Sequence, residues 1–140
     1  YERALLRHGL KVERGYAAVV GTQLESAYEG MKRYLREHKE LPTAFFADND
    51  VIALGAMRAM TEQGIKIPEQ VSLVGFDDIK FGAISAPGLT TLHVYKQEMG
   101  EVAVRRATDY LKYPGRSVKM KIQVCTDFIE RNSVRNLNIG

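Results

Sequence analysis

The chain has 140 residues, 45% hydrophobic and 26% charged, the size and make-up of one folded domain rather than a disordered or fibrous chain. No apolar run approaches the ~18–20 residues that span a bilayer, and the first thirty residues hold no signal-peptide core, so no membrane partner is expected. The net charge is +3. Residues 112–140 carry six basic against two acidic side chains, and residues 1–111 fourteen against fifteen. The basic excess therefore sits at the C-terminal end, and the body is near neutral, which is no argument for nucleic acid.

Ala4, Leu5, Leu6 and Leu10 lie among charged residues and predict an opening helix that Gly9 stops. The chain lacks an initial Met and begins inside this pattern, so a fragment with its N-terminal portion missing is expected. Tyr16 to Val20, bounded by Gly15 and Gly21, predicts a strand. Ala27, Met31, Tyr34 and Leu35 recur at helical spacing and predict an amphipathic helix over 24–38. After Pro42, Thr43 to Ala47 predicts a buried strand without polar alternation.

Asp48-Asn49-Asp50 precedes an apolar helix from Val51 to Met60, which Gly64 ends. Val71 to Phe76 predicts another buried strand, followed at once by Asp77-Asp78. A loop with Gly82, Pro87 and Gly88 leads to a β-rich run from Leu89 to Val94. Residues 96–113 show helical spacing again, and short strands are expected at 118–124 and 126–130. Strand–helix–strand alternation of this kind predicts an α/β fold with a largely parallel sheet flanked by helices on both faces.

In open α/β sheets ligands bind at the carboxyl ends of the strands. Two acidic clusters fall there: Asp48-Asn49-Asp50 and Asp77-Asp78. Asn49, Asp50 and Asp77 offer donors and acceptors that suit a polyhydroxylated or amide-bearing ligand. Asp and Asn ahead of a helix also serve as caps, and Asp77-Asp78 equally reads as a turn; both alternatives stay open. His93 reads as a structural or interlobe residue rather than a base. Lys119 and Lys121, alternating with Val118, Met120 and Ile122, read as an edge strand rather than a phosphate site. Three scattered histidines and the lone Cys125 give no metal-ligand spacing, and no disulfide framework, which suits a reducing cytosol. No G-x-S-x-G, H-E-x-x-H, G-x-G-x-x-G or P-loop motif occurs. No catalytic residue, metal or cofactor is therefore assigned, and no enzymatic activity is expected.

Taken together, Pro42 to Ala56, Gly64 to Asp78, Pro87-Gly88-Leu89-Thr90-Thr91 and Phe128 to Ser133 resemble, in one order, the effector-binding domain of LacI/GalR-family transcriptional regulators. That domain shares its fold with periplasmic sugar-binding proteins. The resemblance implies a periplasmic-binding-protein-like type I fold and a two-lobed, hinged domain closing on a small, carbohydrate-like effector. Residues 1–92 and 118–135 would form most of the C-terminal lobe, and the helix 96–113 would belong to the other lobe. Most of the N-terminal lobe and the helix-turn-helix would be absent. Operator DNA would be a partner only through that missing domain, and the regulator would be cytoplasmic.

By the same resemblance Asn49, Asp50 and Asp77 match positions facing the effector. Thr22 stands where many members place an aromatic residue that stacks on the ligand ring, a departure that argues against a stacked hexose or purine. The family dimerises through this lobe, and Leu54, Arg58, Phe81 and Ile84 match the interface; for Leu54 a place in the core is the alternative. A periplasmic sugar receptor of a transporter is the alternative function, and upstream sequence would separate the two.

Overall fold

The computed structural model describes residues 1–11, 13–113, 115 and 118–137. Its helices are α1 (Glu2–Arg7), α2 (Leu24–Glu37), α3 (Asp50–Glu62), α4 (Lys80–Ile84) and α5 (Lys96–Lys112). Its strands are β1 (Ala44–Phe46), β2 (Ser72–Val74), β3 (Thr91–His93) and β4 (Asp127–Ile129).

The parallel sheet starts from β1 and β2, with Phe45 opposite Leu73. Bridges from Val74 to Thr90 and from Asp77 to His93 extend the parallel relation to β3. Here Gly75 N–H donates to Thr90 O and Asp77 N–H to Leu92 O, both at 2.9 Å. β4 then pairs antiparallel with β3, His93 facing Asp127. The expected α/β architecture with parallel strands and helices is thus present.

Helix α2 forms where Ala27, Tyr28, Met31, Tyr34 and Leu35 line one buried face at helical spacing. Ser26 Oγ closes its first turn by accepting from Gln23 N–H at 3.3 Å. Helix α3 is capped by Asn49, whose Oδ1 accepts from Ile52 N–H at 2.8 Å. The two helices pack very closely at Gly55: a β-carbon there would lie 2.7 Å from Leu24 O and 2.9 Å from Tyr28 N. Met57, Met60, Leu73 and Leu89 fill the core beneath them.

Several expectations are corrected. Residues 16–20 form no strand; Tyr16 ends a 3₁₀ turn (Arg14–Tyr16) and the rest runs without ladder pairing. Val19 is 95% exposed, while Ala18 packs against the core and Val20 lies against Gly30 of α2; the run pairs with no strand among the described residues. Residues 118–124 likewise form no strand, with Val118, Met120 and Ile122 exposed beside α5. The loop after Asp78 contains the helical turn α4. Arg116 and most of the expected 114–118 crossover lie outside the described residues.

Helices α1 and α5 bury no residue. A groove of about 520 Å³ runs between α5 and the segment 118–124, lined by Met99, Val102, Tyr110, Met120 and Ile122 with Arg106 and Lys119 among them. None of the acidic-cluster residues lines it. No helix among the described residues is long and apolar enough to cross a membrane.

Candidate functional site

Because β1 and β2 run parallel, the segments that follow them emerge at one edge of the sheet. Asp48 and Asn49 follow β1, and Asp77 and Asp78 follow β2. Asp50 N–H donates to Phe76 O at 2.8 Å, joining the two segments directly. The parallel bridge from Asp77 brings the end of β3, with His93, to the same edge.

The acidic residues divide sharply in role. Asp50 has no exposed surface. One of its oxygens accepts from Thr91 Oγ1 at 2.6 Å, the other from Ile79 N–H at 2.8 Å. A buried carboxylate needs such donors, and here it ties α3, β3 and the turn before α4 together. Asn49 is half-buried, with one side-chain oxygen spent on the α3 cap and its amide nitrogen outside that bond. Asp48 is exposed. Gly75 is a close approach: a β-carbon would meet Asp50 Oδ1 at 2.2 Å, so a side chain here would collide with the carboxylate that organises the edge.

Asp77 and Asp78 both hold positive φ, 114° and 53°, a region that side chains other than glycine rarely adopt. Lys96, the first residue of α5, donates from Nζ to Asp77 O at 2.7 Å and stands 3.6 Å from Asp77 Oδ1. Asp77 keeps about a third of its side chain exposed (35%). Asp78 accepts from Arg131 at 2.6 Å on one oxygen and contacts His93 Nδ1 at 2.8 Å on the other. Arg131 also donates to Leu89 O at 2.8 Å. Tyr95 OH donates to Asp127, and its ring meets His93 edge-on.

Burial pushes the Asp78 carboxyl up, but the hydrogen bonds from Arg131 and His93 outweigh it and hold the group below the usual carboxylate range. A depressed carboxylate contributes stability in full above its unfolded pKa of ~3.9 and loses it as pH falls through the lower folded value. The acid limb of a stability–pH profile measured by chemical denaturation is therefore expected to flatten in Asp78→Asn. An acid limb identical to that of the parent would contradict the assignment.

Thr22 is exposed in the turn ahead of α2, and no hydrogen bond among the described residues joins it to this cluster. The remaining singled-out residues lie on the helices. Leu54 is half-buried against the core. Arg58 lies over the Tyr28 ring at 4.0 Å and donates to Glu62 at 3.1 Å and Glu25 at 3.3 Å. Tyr28 OH in turn donates to Glu62 at 2.5 Å. Phe81 and Ile84 on α4 are 69% and 78% exposed. Sequence reasoning missed Lys96 and the reach of Arg131. The only sign of the latter was its place in the closing Ile129-Glu130-Arg131 run.

A polar edge at the ends of parallel strands, ahead of the Asn49-capped helix α3, can hold a small ligand by hydrogen bonds. Among the described residues no cluster of His, Cys, Asp and Glu could hold a metal ion. The family model for a periplasmic binding protein-like domain matches residues 1–134, and the chain belongs to that family. Within it, the likeness is to the effector-binding domain of LacI/GalR-type regulators. The chain is 35% identical over 139 residues to the HTH-type transcriptional repressor PurR of Haemophilus influenzae, covering 98% of this chain and 41% of that protein. Among solved structures, a putative LacI-family regulator from Sanguibacter keddieii superposes with a TM-score of 0.84 at 31% identity, covering 95% of this chain and 51% of that one. A transcriptional regulator CelR–cellobiose complex gives a TM-score of 0.85 at 25% identity, covering 95% and 40%. The chain thus spans about two fifths of the length of the curated relatives it matches.

Proposed function

We propose that this chain is the effector-sensing and dimerisation part of a LacI/GalR-type DNA-binding transcriptional regulator, in which a small sugar-like molecule controls operator binding. The observation that carries the reading is the polar edge built from Asn49 and Asp77, in a chain whose first 134 residues match one binding-domain family. Asp77 accepts from effector hydroxyls, and Asn49 supplies the amide nitrogen left outside its cap. Thr22 adds a small polar contact where a stacking ring would stand in many relatives. Asp50, fully buried, serves by fixing the edge rather than by touching the ligand.

Residues 1–92 and 118–135 form most of one lobe, and α5 belongs to the other, which covers the apolar groove. That arrangement accounts for a 17-residue helix with no buried residue. Two copies meet through α3 and α4, with Leu54, Arg58, Phe81 and Ile84 at the contact; the exposure of Phe81 and Ile84 supports this. The DNA reader lies in upstream sequence, and the regulator works in the cytoplasm. Effector binding acts by linkage: it favours one lobe arrangement and so shifts the population able to grip operator. The chain binds and does not turn over its ligand.

A thermal-shift screen of the full-length protein against neutral and phosphorylated sugars tests the reading. At least one is expected to raise the melting temperature in the parent and not in Asp77→Ala. Chemical conversion of the stabilising sugar by the protein would overturn it.

A further inference from the structure

We propose that Lys96 and Arg131 form a two-cation clamp on the Asp77-Asp78 turn, and that this clamp links the turn to the position of α5. The proposal deepens the reading above, since it rests on Asp77 facing the effector.

Two consecutive non-glycine residues at positive φ persist only where their surroundings hold them there. The backbone bond from Asp77 N–H to Leu92 O fixes the entry to the turn. Beyond it, each aspartate is held by one cation. Lys96 binds the Asp77 carbonyl and flanks its carboxylate. Arg131 binds the Asp78 carboxylate while a second nitrogen anchors it on Leu89 O. His93 holds the other Asp78 oxygen.

The two cations come from the two sides of α5 in the chain. Lys96 opens that helix three residues after β3, and Arg131 stands two residues after β4, the strand by which the chain returns. Strands β3 and β4 are hydrogen-bonded neighbours, with Tyr95 bonded across to Asp127 where they leave the sheet edge. A displacement of α5 therefore carries the Lys96 ammonium away from the Asp77 carbonyl. The strained turn then keeps only the Arg131 half of its clamp. In the other direction, a ligand hydroxyl donating to the Asp77 carboxylate weakens its ion pair with Lys96, which then holds the turn through the Asp77 carbonyl alone. Lys96 and Arg131 are positioning residues: they set the shape of the turn, and the turn presents Asp77.

Hydrogen exchange on the full-length protein without any ligand tests the clamp independently of the effector reading. The readouts are the amides of Asp77 and Ile79, bonded to Leu92 O and Asp50 Oδ2, and of Met99, bonded to Tyr95 O at the start of α5. Lys96→Met and Arg131→Met are each expected to speed exchange of Asp77 and Ile79 by about tenfold or more, with Ala53–Met60 unchanged. Arg131→Met is also expected to speed Met99, although Arg131 makes no bond to α5. Lys96→Arg restores protection at the turn. Unchanged exchange at 77 and 79 in Lys96→Met, or equal acceleration across Ala53–Met60, overturns the clamp. Acceleration at the turn with Met99 unchanged in Arg131→Met overturns the link to α5. If Arg131→Met does not fold, Asp78→Asn, which weakens the same ion pair, takes its place with the same criteria. Failure of Asp77→Ala to abolish sugar binding, with these exchange results intact, would sink the effector reading and leave the clamp standing.

Discussion

Replacing Asp50 by alanine is expected to cost about 3–5 kcal/mol, enough to remove much of the ~5–15 kcal/mol that holds a domain folded. The side chain has no exposed surface and serves two donors, Thr91 Oγ1 and Ile79 N–H. Truncation leaves both facing a cavity with no acceptor, each at roughly 1–3 kcal/mol, and empties the space the carboxylate filled. Asparagine separates shape from charge. Its oxygen can take the Ile79 N–H while its nitrogen donates to the Thr91 hydroxyl, which then acts as acceptor. Asp50→Asn is therefore expected to cost only about 1–2 kcal/mol. Urea denaturation at unchanged m-value reads both variants. An alanine variant within about 0.5 kcal/mol of the parent, the range of ordinary surface substitutions, would contradict the tethering role.

The second large effect is expected at Gly55. A β-carbon there would press on Leu24 O and Tyr28 N at 2.7 and 2.9 Å, and on the Ala27 methyl at 2.9 Å. Two of these neighbours are backbone atoms of α2, which cannot rotate away, so the helices must separate. Alanine gains about 1 kcal/mol in helix propensity, against overpacking of typically 1–3 kcal/mol. The net loss for Gly55→Ala is about 0–2 kcal/mol, and Gly55→Val, bulkier and β-branched, is expected to lose about 3 kcal/mol or more. Thermal unfolding orders parent, alanine and valine accordingly. A valine variant as stable as the parent would mean that α2 and α3 do not meet at this glycine.

Elements with their own local signals were legible in advance. The apolar spacing of Ala27, Met31, Tyr34 and Leu35 predicted α2 to within a residue of its end, and Asp48-Asn49-Asp50 marked the start of α3. The runs at 16–20 and 118–124 read as strands because strand propensity is local, whereas a strand also needs a neighbour, and neither segment pairs with one. The α/β fold class and the likeness to LacI/GalR effector domains survive those errors. They rest on segments 42–56, 64–78, 87–91 and 128–133, which hold β1, the first half of α3, β2, the entry to β3 and the end of β4.

The site was legible only as a location. Capping and ligand binding stood as alternatives for residues 48–50, and the chain distributes them: Asn49 caps, and Asp50 is buried as a tether. Nothing local separates those fates, since Thr91 and Ile79 lie 41 and 29 positions from Asp50. Arg131 is farther still from Asp78, 53 positions along the chain, so its charge read only as part of a basic tail. Long-range pairing, rather than residue type, decides which carboxylates stay open to a ligand.

The most direct measurement is the operator affinity of the full-length protein, with and without the sugar that most raises its melting temperature. The account predicts a change of about tenfold in operator Kd, within the usual range of allosteric coupling. It also predicts that Asp77→Ala retains the sugar-free affinity and loses the response. A protein whose operator affinity ignores every stabilising sugar, or whose Asp77→Ala variant responds in full, would contradict it.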